Sequence, residues 1–125
     1  MAKTVISTEK APGAIGPYSQ GIRTGNLVYT SGQLPINTAT GEMATEIKEA
    51  TKYSLENCKA ILEEAGTSMD KVVKTTVFLK DLADFAAMNE VYATFFTSEP
   101  PARSCFQVAA LPKDALVEIE VVAEI

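Results

Sequence analysis

The chain has 125 residues, 46% of them hydrophobic, a formal net charge of -5 and no histidine. That length and apolar content fit one domain with a core of its own, spanning residues 1–125, and leave no room for a second domain of ordinary size. The acidic balance gives a phosphate backbone or an anionic membrane little to bind, and the lack of histidine removes Ser-His-Asp and Cys-His catalysis along with the commonest transition-metal ligand.

The first ten residues carry no apolar segment of the kind a signal peptide needs, and no apolar run approaches the roughly 20 residues of a spanning helix. A cytoplasmic protein is therefore expected. In that compartment Cys58 and Cys105 read as free thiols rather than a disulfide, and two scattered cysteines cannot build a four-ligand zinc site. Gly13, Gly16 and Pro17 mark an irregular N-terminal loop, and Gly25-Asn26 is a turn signal between segments 20–24 and 27–34, so an early β-hairpin is expected.

Within residues 45–65, Ile47, Thr51, Ser54, Leu55, Cys58, Ile61, Leu62 and Ala65 recur at helical spacing, and Gly66 supplies a stop. Residues 72–80, rich in Val, Thr and Phe, read as a strand. Asp81 is a candidate N-cap for a second helix with the stripe Phe85, Met88, Asn89, Tyr92, Phe95 and Phe96, ended by Pro100-Pro101.

Two alternating strands close the chain. In 102–110, Arg103, Cys105 and Gln107 oppose Ser104, Phe106 and Val108; in 116–124, Glu118 and Glu120 oppose Val117, Ile119 and Val121. The short link 111–115 suggests that they form an antiparallel hairpin, bringing the Arg/Cys/Gln face against the Glu/Glu face. The element order implies an α+β layer structure with both helices on one side of the sheet. The other side, expected to carry Arg103, Cys105 and Glu118, would be open for a further subunit to cover.

Without histidine, chemistry falls to carboxylate, arginine, tyrosine, thiol, backbone amides and water. Arg103 offers a planar fork suited to a carboxylate, and it could equally pair with Glu118 or Glu120 across the hairpin. Either glutamate could hold a water for attack on a C=N carbon, or simply be solvated. Cys105 could gain thiolate character from Arg103 or serve only in packing. Asn89 on an apolar stripe needs hydrogen-bond partners, either in the core or at an interface. Tyr18 could reach a pocket from its loop or pack there. Thr30-Ser31-Gly32-Gln33 interrupts an apolar strand, and Gly32 permits close backbone approach.

Taken together, Ala14-Ile15-Gly16-Pro17-Tyr18-Ser19-Gln20-Gly21, Tyr29-Thr30-Ser31-Gly32-Gln33-Leu34-Pro35, Met88-Asn89-Glu90-Val91-Tyr92, Pro101-Ala102-Arg103-Ser104-Cys105 and the run from Ala110 to Glu120 resemble the reactive intermediate deaminase A (YjgF-like) family over nearly the whole chain. The resemblance implies a chorismate-mutase-like α+β subunit in a homotrimer, with a central barrel and three clefts between subunits. It also implies cofactor-free hydrolysis of 2-imino acids, formed from 2-aminoacrylate and related enamines that pyridoxal-phosphate enzymes release, to 2-oxo acids and ammonia. By the same resemblance Arg103 grips the substrate carboxylate and Glu118 positions water with Tyr18 nearby. Ser31, Gly32 and Cys105 line the pocket, and Asn89 joins it at the subunit interface. The competing reading is a non-catalytic module that binds 2-oxo acids. Ribonuclease and chaperone readings are also attached to related sequences; the former is opposed by the acidic charge and missing histidine, and the latter needs an exposed apolar surface.

Overall fold

The structure, a computed structural model, describes residues 2–125. Six strands form one mixed sheet: β1 (Thr4–Ile6), β2 (Gly21–Thr24), β3 (Leu27–Thr30), β4 (Val72–Leu79), β5 (Ala102–Gln107) and β6 (Val117–Glu124). Two helices, α1 (Ile47–Glu64) and α2 (Phe85–Phe95), complete the α+β layer structure. The spatial order is β1-β2-β3-β6-β4-β5. The expected hairpin is β2–β3, turned at Gly25 with φ +59°. The short strand β1, absent from the sequence-based expectation, pairs antiparallel with β2.

The α1 stripe is buried as its spacing predicts, with Thr51, Ser54, Leu55, Cys58, Ile61 and Leu62 all inaccessible. Truncating any of the three large aliphatic side chains to Ala would cost about 2–5 kcal/mol. Glu46 caps α1 by accepting from the Lys48 and Glu49 N–H groups. At the other end Gly66, at φ +89°, lets the chain leave the helix while the Thr67 N–H returns to Leu62 O. Asp81 caps a 3₁₀ turn, Leu82–Asp84, that leads directly into α2. From α2, Met88 and Tyr92 face the core, joined by Phe96 just past the helix end.

The last two strands do not form a hairpin. β5 runs parallel to β4 after the α2 crossover, and β6 inserts between β4 and β3, antiparallel to both. The link between β5 and β6 passes over the end of β4: Val108 N donates to Leu79 O on one side, and Lys80 N to Leu116 O on the other, each at 3.0 Å. Burial explains the order. β6 hides Val117, Ile119, Val121 and Ala123 and belongs inside the sheet, whereas β5 has no fully buried residue and suits an edge.

This order also overturns the expected faces. Arg103 lies in register with Thr75 and Cys105 with Val77, residues buried beneath the helices, so Arg103 and Cys105 belong to the helix side. Glu118 and Glu120 lie in register with Phe78 and Thr76 on the opposite, open side, with Tyr29 and Phe106 each 44% exposed. Phe78 and Phe106 meet there edge to face at 5.3 Å. No helix is long and apolar enough to cross a membrane among the described residues.

Candidate functional site

One group of candidate residues gathers at an irregularity in β3. The β3–β6 ladder pairs Tyr29 with Val122 and resumes at Gln33 opposite Ile119: four steps along one strand against three along the other. The extra residue is a β-bulge, which reverses the side-chain alternation locally. Gly32 therefore shares a side with Glu118, while Gln33 turns inward and is only 5% exposed. The Glu118 carboxylate sits directly over the Gly32 Cα, where a side chain on residue 32 would collide with it.

Ser31 ties this bulge to the N-terminal loop. Its N–H donates to Gln20 O at 2.8 Å and its hydroxyl to Ser19 O at 2.5 Å, which fixes the preceding residue, Tyr18, at the rim. Behind the loop, the buried Gln20 carboxamide accepts from Thr8 N and donates to the carbonyls of Thr8, Ala11 and Pro12. Together these segments line a cleft of about 1130 Å³ that includes Tyr18, Ser31, Gly32 and Glu118. Partial burial, reinforced by the Glu120 carboxylate, raises the Glu118 pKa above its ordinary value.

The other group lies across the sheet at the β5 edge. Arg103 Nη1 donates to Asn89 Oδ1 at 2.6 Å, and the guanidinium lies over the rings of Tyr92 at 4.7 Å and Phe85 at 5.4 Å. A stacked, hydrogen-bonded guanidinium is pre-aimed, with its remaining donors left for an anion. Tyr92 is itself held by a 2.7 Å hydrogen bond between its hydroxyl and that of Thr75. Cys105 is a free thiol packed against the core, and burial outweighs the nearby Arg103 charge to push its pKa up, which favours the packing alternative over thiolate character.

The sequence-predicted residues thus fall into two sets. Tyr18, Ser31, Gly32 and Glu118 converge; Asn89, Arg103 and Cys105 converge elsewhere, on the opposite face of the sheet. The alternative ion pairs of Arg103 with Glu118 or Glu120 are not formed among the described residues. Sequence reasoning missed the ring platform of Tyr92 and Phe85, although both sit on the α2 stripe one turn either side of Asn89. It also missed the Gln20 staple, which has no periodic signal. Among the described residues no group of three or more His, Cys, Asp or Glu side chains assembles as a metal site.

Comparison with known proteins adds three findings. The model of the Endoribonuclease L-PSP family matches residues 8–125. A RutC family protein of Pyrococcus abyssi is 58% identical over 124 residues, and the 2-iminobutanoate/2-iminopropanoate deaminase of Escherichia coli is 53% identical over 126 residues, each match covering 98% of both chains. Among solved structures, Escherichia coli TdcF with bound serine shares the fold at a TM-score of 0.94 and 49% identity, again over 98% of both chains.

Proposed function

The chain belongs to the Endoribonuclease L-PSP family, and from that premise we propose that it is a 2-iminobutanoate/2-iminopropanoate deaminase, converting reactive 2-imino acids and water to 2-oxo acids and ammonia. The relative that carries this activity in its name is 53% identical over nearly the full length. The observation that carries the proposal here is the Glu118 carboxylate held over bare backbone at Gly32, in a cleft large enough for a small acid.

A protonated imine is already electrophilic at carbon. The protein need only hold the substrate carboxylate and present one water. Arg103 supplies the fork for the carboxylate, kept open by its stack on Tyr92 and its bond to Asn89. Glu118 accepts a proton from the attacking water as oxygen bonds to the imine carbon and returns it to the amino nitrogen; it then takes the remaining hydroxyl proton as C=O forms and the C–N bond breaks, and that proton passes to the departing ammonia, which leaves as ammonium. A raised carboxylate pKa suits this base, because it narrows the gap to the proton it must take and give back. Tyr18, at the rim, shields the pocket and orients the water.

In one chain the anchor and the base stand on opposite sheet faces, so the complete site is proposed to form between subunits of a homotrimer. Three features support this: the edge position of β5, the exposed Tyr29 and Phe106 on the open face, and an Arg103 guanidinium that, among the described residues, pairs with no carboxylate. Cys105 and Asn89 would then line the pocket beside the partner's cleft. The proposed setting is the cytoplasm, where pyridoxal-phosphate-dependent dehydratases release such imines. The ribonuclease in the family's name fits this chain poorly, since it has a net charge of -5 and no histidine.

The test is release of ammonia and 2-oxo acid from freshly generated 2-aminoacrylate, measured against the spontaneous background. Acceleration by the wild-type chain that disappears in Arg103→Ala is the expected result. A wild-type chain that binds 2-oxo acid without accelerating hydrolysis would instead be the non-catalytic binding module.

A further inference from the structure

We propose that Thr30 is a positioning residue for this hydrolysis: its buried hydroxyl locks the β-bulge that brings Gly32 under the Glu118 carboxylate. The inference rests on the hydrolase reading above and names a group that touches neither water nor substrate.

Where the β3–β6 ladder breaks, the Val121 N–H donates not to a strand carbonyl but to Thr30 Oγ1, at 3.1 Å. Thr30 is 8% exposed and points to the helix side, where its hydroxyl also lies against the Cys58 thiol of α1. The extra residue in β3 is therefore closed by a side chain, and its geometry depends on which residue occupies position 30. Other bonds finish the turn without replacing this one: Gln33 Nε2 donates to Ser31 O at 3.2 Å, and Gln33 exchanges backbone bonds with Ile119.

The mechanical consequence is specific. Thr30 spans to Val121, three residues from Glu118 on β6, while Gly32 follows two residues later on the bulged strand. Loss of the hydroxyl leaves the Val121 N–H without its acceptor and frees β3 to slide toward regular alternation, which would turn Gly32 away from the Glu118 side. The Arg103 anchor, on β5 and α2, is remote from this change, so substrate binding and turnover should separate.

Thr30→Val keeps the β-branched shape and removes the acceptor; Thr30→Ser keeps the acceptor and loses a methyl. With 2-iminopropanoate generated in situ, Thr30→Val is expected to lower kcat about tenfold or more with KM within about twofold of wild type, and Thr30→Ser to return kcat to within about threefold. Should Thr30→Val fail to fold, Thr30→Cys, with its weak sulfur acceptor, is read in the same way. Wild-type kcat in the hydroxyl-free variant, equal losses in the Val and Ser variants, or a rise in KM alone would each overturn the positioning role. An inactive wild-type chain overturns the hydrolase reading and this inference with it, whereas an active wild type with an equally active Thr30→Val overturns only this one.

Discussion

Glu118 and Gly32 are fitted to one another: a methyl on residue 32 would stand 2.1 Å from Glu118 Oε2 and 2.7 Å from its Cδ. What yields in Gly32→Ala is the tip of a side chain rather than backbone, so the fold should survive with a stability change within about 1 kcal/mol. The carboxylate, however, must swing away from the water it holds. Turnover of 2-iminopropanoate should drop about 100-fold, the scale of loss from a small misplacement of a reacting group. Full activity in Gly32→Ala would dissociate Glu118 from the chemistry.

Arg103 should not be replaceable by lysine. Its function depends on a planar fork that stacks on Tyr92 and bonds Asn89 while keeping donors free, and an ammonium can do only part of this. We expect kcat/KM to fall about 100-fold or more in both Arg103→Ala and Arg103→Lys, and about tenfold in Asn89→Ala, which removes the aim but not the charge. Steady-state kinetics on the three variants checks the order; a Lys variant near wild type would mean that charge alone suffices.

Glu118→Gln should trade activity for stability. Burial and the neighbouring Glu120 raise the folded-state pKa of Glu118, so the folded chain holds this proton more tightly than the unfolded one. A carboxylate shifted in this direction weakens the fold as pH rises through its titration range. The variant should therefore melt higher than wild type at pH 7 and lose that advantage in acid, where Glu118 is protonated anyway. Its hydrolysis should be slow throughout, while the wild-type rate should fall on acidification at a higher pH than an ordinary carboxylate would give. Thermal melts at the two pH values, with a pH–rate profile, decide the matter.

Subunit mixing tests the division of the site. Neither Arg103→Ala nor Glu118→Gln should hydrolyse imine appreciably alone. Unfolded together in equal amounts and refolded, they should regain about a quarter of wild-type activity, because random assembly gives that share of interfaces an intact arginine from one chain and an intact glutamate from the next. No recovery in properly assembled mixtures would place both residues in a site of one chain.

Much of this arrangement is legible in the local sequence. The α1 stripe, its glycine stop, the β2–β3 turn, the β-rich composition of β4 and the alternation of β6 follow from the local sequence, and every one of these elements is present. β1 is not legible because three residues, Thr4-Val5-Ile6, are too few to show a period. The break at Thr30-Ser31-Gly32-Gln33 was visible as small polar residues in an apolar strand, but nothing local could say that it is a bulge facing Glu118. A short link between two alternating strands predicts a β5–β6 hairpin. It does not form because that link crosses the end of β4 instead of turning back on itself.

The sequence by itself determined the chemistry available and the membership of each face: no histidine, Arg103 and Cys105 on one face of one strand, Glu118 and Glu120 on one face of another, and which residues travel together along each element. Only the tertiary structure decided which faces meet. Alternation is a property of a single strand, set by the pleat, and reads the same whichever neighbour the strand pairs with and whichever side the helices cover. Strand order instead follows from competition for burial across the whole chain. That competition put β6 inside and β5 at the edge, and set Arg103 and Glu118 on opposite sides of one sheet.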